Sequence, residues 1–226
     1  MEETEYDWPG WKLKDNPFGK EFDLEARKRM VEQSRKLLPL LEKWKGHLGD
    51  LVLEAGPFFH PLVNQKTFPG KTIVYWDNDM YVLNYLAEEQ PGTVIQFCDL
   101  NKVGESRSRL QQELGKKFRQ IEMNPIISSV VISHLFNYID YSSFLREIRE
   151  FLVEEGLVFI NHSVNYGLPP FFSPQRPRSN LELLMALEHY EFKILEKKEL
   201  PSPNTAYQPQ SRLLVVAQKS GIPRQM

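Results

Sequence analysis

The sequence predicts an α/β domain with a doubly wound, mostly parallel sheet, helices on both faces and a terminal antiparallel strand pair. Three observations lead there. Short apolar runs, LVLEAG (51–56), TIVYWD (72–77), VIQFCD (94–99), SSVVIS (128–133) and LVFINHS (157–163), read as strands buried on both faces. Helical patterns separate several of them, and alternating strands and helices build a parallel sheet between helix layers. The last two strands, 192–200 and 212–219, are joined by a polar, proline-rich loop at 201–211 that holds no crossover helix. Such a connection makes an antiparallel pair.

The elements follow in order. Residues 1–22 interleave Tyr6, Trp8, Trp11, Phe18 and Phe22 with Pro9, Gly10, Pro17 and Gly19, which predicts an irregular aromatic arm lying against the body. From Leu24 to Trp44 the apolar residues Met30, Val31, Leu37, Leu38, Leu41 and Trp44 recur at helical spacing. Pro39 inside that pattern predicts a kink or a break. Helices are expected over Met80–Glu89, Glu105–Lys117, Tyr141–Glu154 and Asn180–His189. The chain divides into residues 1–48, an arm and kinked helix, and 49–226, the α/β domain.

Composition narrows the function classes. The 226 residues are 41% hydrophobic and 26% charged, with a net charge of −2, which describes a chain able to bury a core. Near-neutral charge argues against nucleic-acid phosphate as the main ligand, since that binding needs a basic footprint. No run approaches the ~18 apolar residues that span a bilayer, and MEETEYDWPG has none of the features of a signal peptide. The single cysteine, Cys98, forms no internal disulfide and makes no zinc site alone. A cytoplasmic protein without membrane or nucleic-acid partners is expected.

In an open α/β sheet, ligands bind beyond the carboxyl ends of the strands. The first three strands each end in an acid, Glu54, Asp77 and Asp99, and a glycine turn at Gly56 follows the first. Asp77 lies about 20 residues beyond Gly56, the spacing at which an acid reaches ribose hydroxyls. One such acid commonly caps the next helix; three in succession point to a ligand.

In these motifs the chain resembles the class I S-adenosylmethionine-dependent methyltransferases over roughly residues 49–219. LVLEAG is similar to the family's first motif, and VYWDNDMYVL to its second. There the resemblance implies that Asp77 holds the ribose diol and that Asn78 lies beside the adenine. FCDL is similar to the third, bringing Asp99 and Leu100 to the adenine. SSVVISHLFNYIDYSSFLREIREFLVEEGLVFIN resembles the fourth strand, its helix and the fifth strand, and EFKILEKKEL with SRLLVVAQKS the closing pair. The resemblance implies S-adenosylmethionine as cofactor, bound by Glu54, Gly56, Asp77, Asn78, Asp99, Leu100 and Ser133. It also implies direct methyl transfer to a small-molecule or peptide-borne acceptor.

The first motif is divergent. Further glycines common in the family are replaced here by Phe58 and His60, so the segment Pro57–Pro61 is expected to take its own path. Either Pro61 opens a short helix that His60 merely precedes, or the His60 imidazole donates to the methionyl carboxylate in place of a backbone amide. A dinucleotide fingerprint would need glycine where Phe58 and Pro61 stand, so that reading fits worse. Acceptor-side candidates cluster after the fourth and fifth strands: Ser133, His134, Asn137 and Tyr138, then Asn161, His162, Asn165 and Tyr166. His134 or His162 would serve as a general base, with Tyr138 beside them in the catalytic set; the plain alternative is that each imidazole bonds nearby backbone. The loop 164–179, with Arg176 and Arg178, would shape the acceptor pocket. A homodimer through the aromatic arm is open. So is the rival reading, a non-catalytic scaffold that kept the fold and lost the cofactor.

Overall fold

The computed structural model describes residues 31–118, 127–165, 173–201 and 209–221. The expectations of an aromatic arm at 1–22 and of a helix from Leu24 to residue 30, with Tyr166 and the rest of 166–172 and the loop residues 202–208, lie outside these residues. Helical residues 31–35 break at a turn, and helix resumes as α1 (Leu38–Lys43) with Pro39 in its first turn. Proline fits there because a first-turn amide has no intrahelical partner to lose. The predicted break is therefore real, and it falls just before the proline.

Seven strands follow: β1 (Leu51–Ala55), β2 (Thr72–Asp77), β3 (Val94–Phe97), β4 (Ile127–Ser133), β5 (Leu152–Asn165), β6 (Phe192–Pro201) and β7 (Pro209–Lys219). They form one sheet in the order β3-β2-β1-β4-β5-β7-β6. β1 to β5 are parallel, and β7 runs antiparallel to both β5 and β6. The helices are α2 (Met80–Glu89), α3 (Val103–Phe118), α4 (Tyr141–Phe151) and α5 (Asn180–His189). Each of α2, α4 and α5 carries a side-chain N-cap. Asp79 accepts from the Tyr81 amide, Asp140 from Ser142 and Ser143, and Ser179 from Glu182.

Alternation along the buried strands divides the core in two. Leu51, Leu53, Val130, Val158 and Ile160 face Phe144, Ile148 and Phe151 of α4 and Leu183 and Leu187 of α5. Val52, Val131, Leu157 and Phe159 face Val31, Leu37 and Leu41 of the N-terminal helices and Val82 and Leu86 of α2. The helices before β1 are thus part of one face of the α/β layer.

Three boundaries differ from expectation. α4 stops at Phe151, because Leu152 already pairs with Ile127 of β4. β3 stops at Phe97, because the Asp99 carboxylate turns to take the Asn101 amide at 3.0 Å, an Asx turn that ends the strand. No helix opens at Pro61: the amides of Leu62 and Val63 are drawn instead to a side chain of β1.

Candidate functional site

Strand order reverses at β1, whose neighbours β2 and β4 lead away to opposite edges. That switch point opens a crevice at the carboxyl ends of the strands. A cavity of about 380 Å³ lies there, within the ~300–1,000 Å³ typical of ligand clefts. Glu54, Gly56 and Phe58 line it from the β1 end, Asp77 and Asn78 from β2, Leu100 and Asn101 from beyond β3. Ser133, His134 and Tyr138 close the β4 side, and Val31 and Ser34 of the N-terminal helix complete the wall.

The turn after β1 needs its glycine. Gly56 has φ 64°, and a Cβ there would meet Leu135 Cδ1 at 3.1 Å. Its amide bonds the Trp76 carbonyl at 2.8 Å, which ties the turn to β2. Phe58, two residues on, also holds a left-handed backbone, with φ 56°. A side chain there costs roughly 1–2 kcal/mol that glycine avoids. The phenyl ring packs edge-on against Phe59, with centroids 5.0 Å apart. Comparing Phe58→Gly with Phe58→Ala isolates the backbone cost, since both lose the ring. The glycine variant should be the more stable by about 1 kcal/mol in denaturant titration; equal stabilities would show that the backbone there is unstrained.

Two carboxylates pin this loop. Glu54 is 2% exposed, and its oxygens accept the amides of Leu62 and Val63, each at 2.9 Å. Burial pushes its carboxyl up to about 8, against the lowering pull of those two bonds. Asp77 accepts from the Asp79 amide at 3.0 Å, and the amides of Phe58 and Asn78 also face it. Burial raises its carboxyl to about 6. Backbone amides that a glycine-rich loop would offer to a ligand are here turned partly toward the protein's own acids.

On the β4 side, His134 adopts φ 61° and caps a short 3-10 turn, Leu135–Asn137. Its Nε2 lies 3.1 Å from Arg212 Nη1. Burial first, then the guanidinium, hold this imidazole well below its usual pKa. Tyr138 is half-buried, and burial raises its phenol.

Other sequence candidates fall elsewhere. Asp99 does not line the cavity, being engaged by Asn101. His162 is fully buried on β5, beside Phe136 at 6.1 Å between ring centroids, and is not on the cavity wall. Burial and Arg212 lower it to about 3, so the imidazole stays neutral near pH 7 and is a weak base. Asn161 fastens the N-terminal helix, its Nδ2 donating to the Gln33 carbonyl at 2.7 Å. Asn137 Nδ2 donates to the Ser163 carbonyl at 3.0 Å. Arg176 bonds the Ser173 carbonyl and lies off the cavity, as does Arg178. Cys98 is buried, with its thiol pushed up to about 12, as suits an inert core residue.

Sequence reasoning missed Arg212, Ser34 and Asn101. Arg212 carried one signal, a cation at the head of an otherwise apolar strand. Ser34 carried none, since a polar residue on an amphipathic helix is ordinary. Among the described residues no cluster of metal-ligating side chains occurs, and no helix is long and apolar enough to cross a membrane.

No protein-family model matches the chain, and no curated protein matches it. Solved structures do. An S-adenosylmethionine-dependent methyltransferase from Mesorhizobium loti is similar at a TM-score of 0.57 and 14% identity, covering 80% of this chain and 96% of that one. The magnesium protoporphyrin IX methyltransferase of Synechocystis, solved with S-adenosylmethionine bound, gives 0.58 at 11% identity, with 88% and 85% covered. A methyltransferase from Methanosarcina mazei gives 0.56 at 10% identity, with 80% and 97% covered. Strand order, the antiparallel β7 and these likenesses agree: the chain has the fold of the class I S-adenosylmethionine-dependent methyltransferases.

Proposed function

We propose that this chain binds S-adenosylmethionine in the switch-point cavity and transfers its methyl group to a small-molecule or peptide-borne acceptor. One observation carries the reading: a buried acid, Asp77, on the wall of a cavity of cofactor size at the end of β2. Gly56, Asn78, Leu100 and Ser133 share that wall, whereas Asp99 would need to leave Asn101 to take part. Glu54 shapes the loop, each of its oxygens accepting one amide of the segment that follows.

Within this reading the ribose diol donates to the Asp77 carboxylate, and the nucleoside lies along the ends of β2 and β3. The bound cofactor supplies an activated sulfonium methyl, so the chain's task is alignment, worth roughly 7–11 kcal/mol of a barrier when complete. Tyr138 would border the acceptor. His134 is a poor base, because its Nε2 lone pair faces a guanidinium that only donates. The left-handed φ at Phe58 favours the enzyme over the scaffold, since the loop follows a course open to glycine despite its divergence.

The pH dependence of binding tests the role of Asp77. Its carboxyl titrates near 6 in the free protein, and only the ionised form accepts both ribose hydroxyls. Affinity for S-adenosylhomocysteine should therefore rise about tenfold from pH 5 to pH 7 and level off above. Asp77→Asn should flatten that profile. A wild-type profile equally flat would remove Asp77 from the site.

A further inference from the structure

Arg212 is 4% exposed, and its Nη1 donates to Asn161 Oδ1 at 2.8 Å besides meeting His134 Nε2 at 3.1 Å. A guanidinium has no acceptor atom, so Nε2 must accept and the ring proton must sit on Nδ1. Arg212 thereby fixes one tautomer of His134 and leaves a polarised N–H on a residue of the cavity wall. Ser133, its neighbour on that wall, carries a buried hydroxyl with no hydrogen-bond partner among the described residues. Two donors thus stand side by side at the β4 end.

The charge is one-sided there. Both hydrogen bonds of Arg212 go to neutral atoms, and among the described residues no carboxylate pairs with it. The acids of the cavity, Glu54, Asp77 and Asp79, belong to the β1 and β2 ends and are bonded to backbone amides. A buried cation that meets no carboxylate among the described residues favours an anion nearby. The wall at this side also carries Val31, Leu62, Leu135 and Ile139, apolar residues interspersed with Ser34, His60 and Tyr138.

We infer that Ser133 and His134 form a two-donor subsite for the carboxylate of the methyl acceptor, with Arg212 as the positioning residue behind it, so that the substrate class is a carboxylic acid with an apolar body. This rests on the methyl-transfer reading. A carboxylate oxygen takes the Nδ1–H of His134 and its mate takes the Ser133 hydroxyl, while the acid's apolar body lies on Leu135 and Ile139. His134 then acts as a specificity group and abstracts no proton.

Long-range proton–nitrogen NMR of the full chain, saturated with S-adenosylhomocysteine and titrated with benzoate or benzamide, tests this. His134 should show a protonated Nδ1 and a bare Nε2 across neutral pH. Benzoate should shift the Nδ1–H signal and benzamide should not. Arg212→Met and His134→Asn, the latter tolerant of a left-handed backbone, should each weaken benzoate about tenfold or more. A proton on Nε2, or equal response to the two probes, overturns the subsite. So does benzoate binding only when 5′-methylthioadenosine replaces S-adenosylhomocysteine, because the carboxylate held there would then be the nucleoside's own amino-acid tail. If S-adenosylhomocysteine fails to bind, the cofactor reading fails, and the same benzoate titration of the unliganded chain still decides the subsite.

Discussion

Asp77→Ala should weaken S-adenosylhomocysteine binding at least tenfold while the protein stays folded. A charge-assisted bond contributes roughly 1.5–3 kcal/mol, and the carboxylate would receive two from the ribose diol. The variant keeps its fold because β2 is held on both sides, by β1 and by β3, through bonds that do not involve this side chain. Removing a carboxyl raised by burial also relieves the cost of ionising it in place. Isothermal titration measures the affinity and circular dichroism the fold. Unchanged affinity in a folded variant would place the nucleoside elsewhere.

Glu54→Ala should act in the opposite manner, on stability first. The substitution leaves the buried amides of Leu62 and Val63 without acceptors, and each such loss costs about 1–3 kcal/mol. A fall of roughly 2–4 kcal/mol in unfolding free energy is expected from denaturant titration, with Glu54→Gln, which retains one good acceptor, losing about half as much. Because the loop they hold also contributes Phe58, His60 and Leu62 to the cavity wall, ligand affinity should drop with it. An alanine variant as stable as wild type would mean that the loop is held by its apolar contacts alone, Phe59, Leu62 and Val63 among them.

The contrast between these two acids shows what the sequence made legible. Both stand at strand ends, and their position marks the site because strand termini in an α/β sheet converge on one crevice. Position does not reveal partners. Glu54 lines the cavity as its position suggests, and it also anchors the segment that follows through a bond pair with residues eight and nine positions ahead, which no local pattern reveals. The same limit hid the true setting of the histidines. His134 and His162 stand level on adjacent strands, since Ser133 pairs with Asn161, yet one lines the cavity and the other is buried off it, because His134 has left β4 in a left-handed conformation. Arg212 reaches His134 across β5, a contact that depends on the antiparallel register of β7 and on no local pattern. Strands, helices and their order were readable because apolar runs and periodicity are local properties. Hydrogen-bond partners distant in sequence were not.

Calorimetric titration of the intact chain with S-adenosylmethionine and S-adenosylhomocysteine at pH 7.5 tests the central claim most directly. One site per chain is expected for both, lost or weakened at least tenfold in Asp77→Ala, in line with the charge-assisted ribose bonds. Folded wild-type protein that gives no heat with either nucleoside, even at millimolar ligand, would contradict the account and leave a methyltransferase fold that no longer holds the cofactor.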